Sequence, residues 1–199
     1  YSNNKYEWIP IAYSKDDDSD NELEFNGLFD GNGHNIYNMY VASKSDKKGG
    51  LFGNIGEKGK VQYINIVQSI MMKNCSIALN NYGYITGCTN DSFVYGIDER
   101  VGGICRVNNG RITGCHNNGR IDGDDAGGIV STNVGVILQC SNKGYVLGGL
   151  FEPGGIAELN IGYIENCYNS GIVSDNVGLN SERGAAGIVW SNSSNNSLY

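Results

Sequence analysis

Apolar residues come along this chain in short groups, each separated from the next by Gly or Asn. The segment VGGICRVNNGRITGCHNNGRIDG at 101–123 contains three such groups, and AGGIVSTNVGVILQCSNKGYVLG at 126–148 repeats them almost position for position. The groups are too short for helices, are rich in β-branched residues and are bounded by turn formers. The pattern therefore predicts short β-strands.

The repeated phrase is G-G-[IL]-x-x-x-N-x-G-x-I-x-x-C-x-N-x-G-x-[VI], and its second position recurs about every 25–27 residues except for one longer last step. That position holds Gly50, Ser76, Gly103, Gly128, Gly155 and Gly187. A period of this length with three short strands per repeat predicts an all-β fold, a right-handed parallel β-helix. With coils stacked about 4.8 Å apart, about seven coils make a rod roughly 35 Å long.

Stacking places equivalent positions of successive repeats in columns. We expect one structural column of thiols, preceded by Ile64 and Met39, and one of isoleucines, preceded by Val61 and Ile36. A third column holds an Asn two residues after each thiol, because Asn suits turns and stacked amides can bond one another. The three sets are Cys88, Cys115, Cys140 and Cys167; Ile85, Ile112, Ile137 and Ile164; and Asn90, Asn117, Asn142 and Asn169.

The domain organisation follows from the repeat. Residues 1–24 form an N-terminal lead-in or cap, with Trp8–Ile11 covering the first coil, and residues 25–199 form a single β-helix in which Trp190 covers the other end. The chain opens without Met and without a signal-peptide pattern. We therefore expect a module excised from a larger polypeptide, with flanking domains.

Composition limits the partners. The chain has a net charge of −7 and no apolar run long enough to span a membrane. Binding of nucleic acid would require a basic stripe, so the sequence predicts neither a nucleic-acid partner nor membrane insertion.

Six cysteines raise the question of disulfides. Side chains stacked in register point the same way and keep their Cβ atoms farther apart than a disulfide prefers, so we expect buried free thiols. One or two bridges and a metal site remain alternatives.

The segment Phe25–Ile36, FNGLFDGNGHNI, follows Trp8-Ile9-Pro10-Ile11, and together they resemble the signature that precedes arrays of GLUG repeats. The later phrases, such as Gly127-Gly128-Ile129-Val130, are similar to the GLUG motif itself. The resemblance covers almost the whole chain. It implies a non-catalytic module of a large secreted or wall-attached bacterial protein, of the kind found in IgA-cleaving metalloproteases and adhesins. The HExxH motif of those proteases is absent from this sequence.

An enzymatic alternative is a polysaccharide hydrolase or lyase, because hydrolysis of a glycosidic bond needs two suitably spaced carboxylates. The corner Asp122 and Asp124 lies one repeat after Asp98 and Glu99, and stacking could bring the two acidic pairs together. The alternative interpretation is that these acids face solvent and pair with nearby arginines.

Calcium is the one cofactor that the sequence suggests. Asp16, Asp18 and Asp20 alternate like the oxygen ligands of a Ca²⁺ loop, but the positions that should hold Gly and Glu hold Asn21 and Gly27. A solvated loop is the competing interpretation.

Thirteen tyrosines suggest a contact surface. Tyr84 and Tyr163 follow the same repeat glycine as Arg111, so the three side chains should share one face. Aromatic rings and amides suit a sugar or protein ligand, although Tyr is also a common residue of exposed strands. The sequence as a whole predicts a module displayed outside a bacterial cell that contacts a glycan or a host protein, and the polysaccharide-active enzyme remains the alternative.

Overall fold

The computed structural model describes residues 7–13, 23–41, 49–72, 74–149, 151–175 and 184–193, with residues 97 and 98 described by their backbone. All regular structure in these residues is β-strand, so none of them forms a helix that could cross a bilayer.

The strands follow one another in coils. Coil 1 contains β1 (Glu24–Phe25), β2 (Leu28–Asp30), β3 (Asn35–Tyr37) and β4 (Tyr40–Val41). Coil 2 contains β5 (Phe52–Ile55), β6 (Lys60–Gln62) and β7 (Asn65–Met71), and coil 3 contains β8 (Ala78–Asn81), β9 (Tyr84–Thr86) and β10 (Thr89–Gly102). Coil 4 contains β11 (Cys105–Asn108), β12 (Arg111–Thr113), β13 (His116–Asn117) and β14 (Arg120–Gly127). Coil 5 contains β15 (Val130–Asn133), β16 (Val136–Leu138), β17 (Ser141–Asn142) and β18 (Val146–Gly148). Coil 6 contains β19 (Ala157–Asn160), β20 (Tyr163–Glu165), β21 (Tyr168–Asn169) and β22 (Val173–Asp175), and β23 (Val189–Asn192) begins coil 7.

Equivalent strands of successive coils pair in parallel and form three sheets. Sheet A stacks β1-β5-β8-β11-β15-β19-β23, sheet B stacks β2-β6-β9-β12-β16-β20, and sheet C contains the remaining ten strands. The chain passes from A to B to C in each coil and then rises to the next. The predicted all-β fold of stacked parallel coils with three faces is confirmed.

The interior is built of columns of like residues. On sheet B, Val61, Ile85, Ile112 and Ile137 are paired one above the other and fully buried. Each such side chain contributes about 1.5–3 kcal/mol by leaving water.

The predicted extension of two columns into coil 1 is wrong. Phe29, and not Ile36, lies next to Val61, while Ile36 pairs with Ile66 on sheet C. Met39 lies beside Ser69, whose Oγ accepts a hydrogen bond from its N–H at 2.9 Å, rather than in the thiol column. The sequence of coil 1 misleads because Gly27-Leu28-Phe29 resembles the Gly50-Leu51-Phe52 of coil 2, whereas Leu28 and Phe29 pair with Lys60 and Val61 on sheet B.

The four predicted cysteines lie in one column, and hydrogen bonds join them. The backbone N–H groups of Cys88, Cys115 and Cys140 donate to the Sγ atoms of Cys115, Cys140 and Cys167 at 3.4, 3.4 and 3.3 Å. All six cysteines of the chain are free thiols. Burial raises the pKa of Cys75 to about 12 and raises the pKa values of Cys105 and Cys115 as well, so these thiols are unreactive at neutral pH.

Asn side chains form two columns, one on sheet C and one at the end of the sheet A strands. In the column named from the sequence, each Nδ2 donates to the Oδ1 of the next coil at 2.7 Å, from Asn90 to Asn117, Asn142 and Asn169. The second column, at the end of sheet A, repeats this geometry at 2.7–2.8 Å and holds Asn81, Asn108, Asn133, Asn160 and Asn192. Both columns begin in coil 3, where Asn81 and Asn90 lie above Ile55 and Ile66 and leave a buried Oδ1 without a partner.

The N-terminal segment covers part of coil 1 and coil 2. Trp8 packs against the core, its backbone N–H donates to Tyr40 at 2.8 Å, and its ring N–H donates to the Leu51 carbonyl at 3.3 Å. Ile11 pairs with Phe52 beside sheet A. At the other end, Trp190 is 41% exposed, and its neighbour Val189 packs against the core instead.

Candidate functional site

The outer surface of sheet B contains a straight column of exposed side chains. Strand register places Tyr84 beside Arg111 and Val136 beside Tyr163, with Arg111 and Val136 adjacent between them. The whole column holds Leu28, Lys60, Tyr84, Arg111, Val136 and Tyr163. The structure thus brings the three residues named from the sequence onto one face. Tyr84 and Tyr163 are 46% and 54% exposed and stand three strand spacings apart, which is about 14 Å.

Two interactions tie this column to its surroundings. The Lys60 ammonium lies 5.8 Å from the centre of the Tyr84 ring. At the far end, a hydrogen bond with the Glu165 carboxylate raises the pKa of the Tyr163 phenol. Both rings are therefore about half exposed on the sheet, and each has a charged group beside it.

Sheet C contains a second outward column, which sequence reasoning did not identify. It runs through Tyr40, Ile70, Phe93, Arg120, Tyr145 and Ile172. The Arg120 guanidinium lies between two rings, 5.7 Å from that of Phe93 and 5.2 Å from that of Tyr145, and it donates to Asp122 at 2.9 Å. Phe93, Arg120 and Tyr145 each precede the last apolar residue of the repeat phrase, and this shared position is the signal that could have identified them.

The described corner acids of the enzymatic alternative lie in different surroundings. Glu99 accepts a hydrogen bond from Asn74 Nδ2 at 3.2 Å, and Asp122 pairs with Arg120. Asp124 lies against Gly149, and the side chain of Asp98 lies outside the described residues. The pairing of β10 with β14 changes register between Gly96 and Arg100, so the two corners do not superimpose position by position.

A different carboxyl group has a perturbed acidity. Burial, and then the negative charge of Asp125, raise the pKa of Glu158 to about 7, while Arg100 opposes the shift and Glu152 adds to it. Arg100 Nε is 2.9 Å from Asp125 Oδ2. Glu158 shares a row of sheet A with Arg106 and Ser131, whose Nε and Oγ atoms are buried without a hydrogen-bond partner.

The calcium candidates Asp16, Asp18 and Asp20 lie outside the described residues. Within those residues, no group of three or more His, Cys, Asp or Glu side chains is arranged to hold a metal ion.

Comparison with known proteins bears on the fold. No known family matches the sequence, and no curated protein matches it. Among solved structures, the fold is similar to a crystal structure described as a "putative immunoglobulin A1 protease" from Bacteroides ovatus. The TM-score is 0.61 at 18% sequence identity, over 94% of this chain and 73% of that one. A likeness at this identity supports the solenoid fold.

Proposed function

We propose that this chain is a non-catalytic binding and spacer module of a larger secreted or wall-attached bacterial protein, and that sheet B presents its outer column to an extended glycan. The observation that carries the proposal is the alignment of Tyr84, Arg111 and Tyr163 on one flat wall. The resemblance to GLUG-repeat proteins and the fold shared with the Bacteroides ovatus protein support an extracellular location.

The geometry suits a linear ligand better than a compact one. The two Tyr rings are separated by about 14 Å along a straight wall, with the Arg111 guanidinium between them as a donor for hydroxyl groups. Ring faces take the apolar faces of sugars. The strand that carries Tyr84 is paired on both sides and the strand that carries Tyr163 on one, and this pairing lowers the ordering cost of binding.

Binding to a panel of immobilised polysaccharides tests the proposal. The double variant Tyr84→Ala/Tyr163→Ala should bind at least tenfold more weakly than the original chain, since each lost ring contact is worth about 1 kcal/mol. The matched control is Tyr37→Ala/Tyr168→Ala, which removes two similarly exposed rings from sheet C and should leave affinity unchanged.

Three results would contradict the proposal. If the two double variants bind equally well, sheet B is not the binding face. If the chain binds proteins but no polysaccharide, the ligand is not a glycan. Reproducible cleavage of a polysaccharide, lost in Asp122→Ala or Glu99→Ala, would establish the enzymatic alternative instead.

A further inference from the structure

The corner between sheets A and B departs from the repeat at a single coil. Between the two strands, coils 1 and 3–6 each use two residues, for example Tyr82-Gly83 in coil 3 and Asn109-Gly110 in coil 4. Coil 2 uses four, Gly56-Glu57-Lys58-Gly59, so it carries a two-residue insertion made of one acid and one base. In repeat proteins, insertions in individual repeats often form the binding face.

Hydrogen bonds to both neighbouring coils hold this inserted turn in place. Gly59 N–H donates to the Gly56 carbonyl at 2.8 Å, and Gly56 N–H donates to the Phe25 carbonyl of coil 1 at 3.0 Å. The Gly59 carbonyl accepts from Tyr84 N–H of coil 3 at 3.0 Å. The glycines are buried and the two charged side chains project outward, so a rigid backbone presents them.

The insertion forms one wall of a pocket of about 590 Å³, which is within the size range of small-molecule sites. The lining comes from three successive coils and comprises Glu24, Asn26, Glu57, Lys58 and Tyr82. Asn26 connects two sides of the pocket. Its Nδ2 donates to Glu24 Oε2 at 3.3 Å, and its Oδ1 accepts from the backbone N–H of Lys58 at 3.2 Å. A Cβ at position 56 would lie 2.5 Å from both Asn26 Oδ1 and Glu24 Oε2, so glycine at this position makes room for them.

The lining has unused hydrogen-bonding capacity. The Glu57 carboxylate and the Lys58 ammonium form no side-chain hydrogen bond or ion pair with any other described residue, and both are exposed at the pocket. Two carboxylates and an amide oxygen can accept hydrogen bonds, while the ammonium and the amide nitrogen can donate them. Tyr82, 39% exposed, adds an aromatic surface.

We propose that this pocket binds one neutral pyranose residue of a glycan. Vicinal hydroxyls are both donors and acceptors, which matches a lining of mixed acceptors and donors beside a ring. Two carboxylates against one ammonium give the lining a net negative charge, which repels an acidic sugar. The inference rests on the proposed function, because the pocket adjoins the start of the sheet B column: Tyr82 precedes Tyr84 by two residues, and Lys60 follows the inserted turn.

The test measures binding of free neutral monosaccharides to the whole chain by ligand-observed NMR. We expect saturable binding by at least one neutral hexose and at least a tenfold loss in Glu57→Ala/Lys58→Ala. The matched control, Asp91→Ala/Lys143→Ala, also removes one exposed acid and one exposed base, far from the pocket, and should bind as the original chain does. A second variant that deletes Glu57 and Lys58 restores the two-residue corner of the other coils and should also abolish binding.

The outcomes separate the pocket from the sheet B surface. If no neutral monosaccharide binds, or if both pocket variants bind as the original chain does, the pocket proposal is wrong, and polysaccharide binding that depends on Tyr84 and Tyr163 would still support the proposed function. If monosaccharides bind in the pocket but the polysaccharide affinity is unchanged in Tyr84→Ala/Tyr163→Ala, the pocket proposal is supported and the proposed binding surface on sheet B is wrong. Preference for an acidic sugar or for a cationic peptide would overturn the assigned ligand class.

Discussion

Coil 4 and coil 6 contain the same residues in the same columns, but they are buried to different degrees. Ile112, Cys115 and Asn117 of coil 4 are fully buried, whereas Ile164, Cys167 and Asn169 of coil 6 are only partly buried. Coil 4 has a complete coil on each side. Above coil 6, the described residues add a single strand, β23 on sheet A, so β20 and β22 are edge strands there. A residue in a column therefore contributes more to the stability of the fold when complete coils pack against it on both sides, as in other repeat proteins.

Substitution of a repeat glycine should show the largest difference in stability loss between the middle coils and the last coil. A Cβ on Gly128 would lie 2.7 Å from Asn142 Cγ and closer still to the Gly155 carbonyl oxygen, whereas a Cβ on Gly187 would meet no described atom within 4 Å. Gly128→Ala should cost about 4 kcal/mol or more, because the backbone of the next coil cannot move aside alone. Urea unfolding followed by circular dichroism measures the loss.

Gly187→Ala is the matched control for this substitution, since it adds the same methyl group at the equivalent position one coil beyond Gly155. Its free energy of unfolding should stay within about 0.5 kcal/mol of the original value. Equal losses at the two positions would show that the terminal coil is packed as tightly as the middle of the rod.

The isoleucine column gives the second largest effect. Ile112→Ala leaves a cavity between two coils and should cost about 3 kcal/mol, while Ile164→Ala, at a partly buried site, should cost about half as much. The same unfolding measurement applies to both variants. A loss at Ile164 as large as that at Ile112 would contradict the dependence on neighbours.

The columns could be predicted from the sequence because parallel coils in register convert a period along the chain into a vertical stack. Aligning the phrases was enough to bring Cys88, Cys115, Cys140 and Cys167 together, and hydrogen bonds now join these four residues. The alignment failed in coil 1, where Ile36 and Met39 were assigned to the wrong columns, because Gly27-Leu28-Phe29 resembles Gly50-Leu51-Phe52 but lies on sheet B. A self-alignment detects the period but is misled where one part of a repeat resembles another.

The outward surface was less predictable, because its residues vary from coil to coil. Tyr84, Arg111 and Tyr163 could be placed on one face because they follow a fixed glycine. The pocket could not be predicted, since it depends on how far Glu24 and Tyr82 of neighbouring coils reach toward the inserted turn. The raised pKa of Glu158 depends first on its burial and then on the charge of Asp125, both of which arise only in the fold.

The Asn columns offer a third test of the comparison. Asn117→Ala removes the acceptor of Asn90 and the donor to Asn142, leaving buried amide groups on both sides, and should cost about 2 kcal/mol. Asn169→Ala removes only the acceptor of Asn142 in the column and should cost about 1 kcal/mol. Thermal unfolding of the two variants measures the difference. Asn117→Asp is a useful companion variant, because it retains an acceptor for Asn90 while losing the donor to Asn142.

The smallest effect is a pH dependence at the boundary between coils 5 and 6. Folding raises the pKa of Glu158 from 4.5 to about 7 through burial and the nearby charge of Asp125, so the folded state holds a proton that the unfolded state releases. As pH rises from about 4.5 to about 7, the chain should therefore lose stability through this group, and above that range the loss should be constant. Solvent screening at this partly buried site reduces the loss to about 1 kcal/mol.

Unfolding curves of the original chain and of Glu158→Gln at pH 5 and pH 8 isolate the effect, because the amide cannot titrate. The variant should gain stability relative to the original chain only at pH 8, and Glu57→Gln, at an exposed position in coil 2, should show no such gain. A Glu158→Gln difference that is the same at both pH values would mean that Glu158 titrates normally and that the end coils carry no pH-dependent weakness.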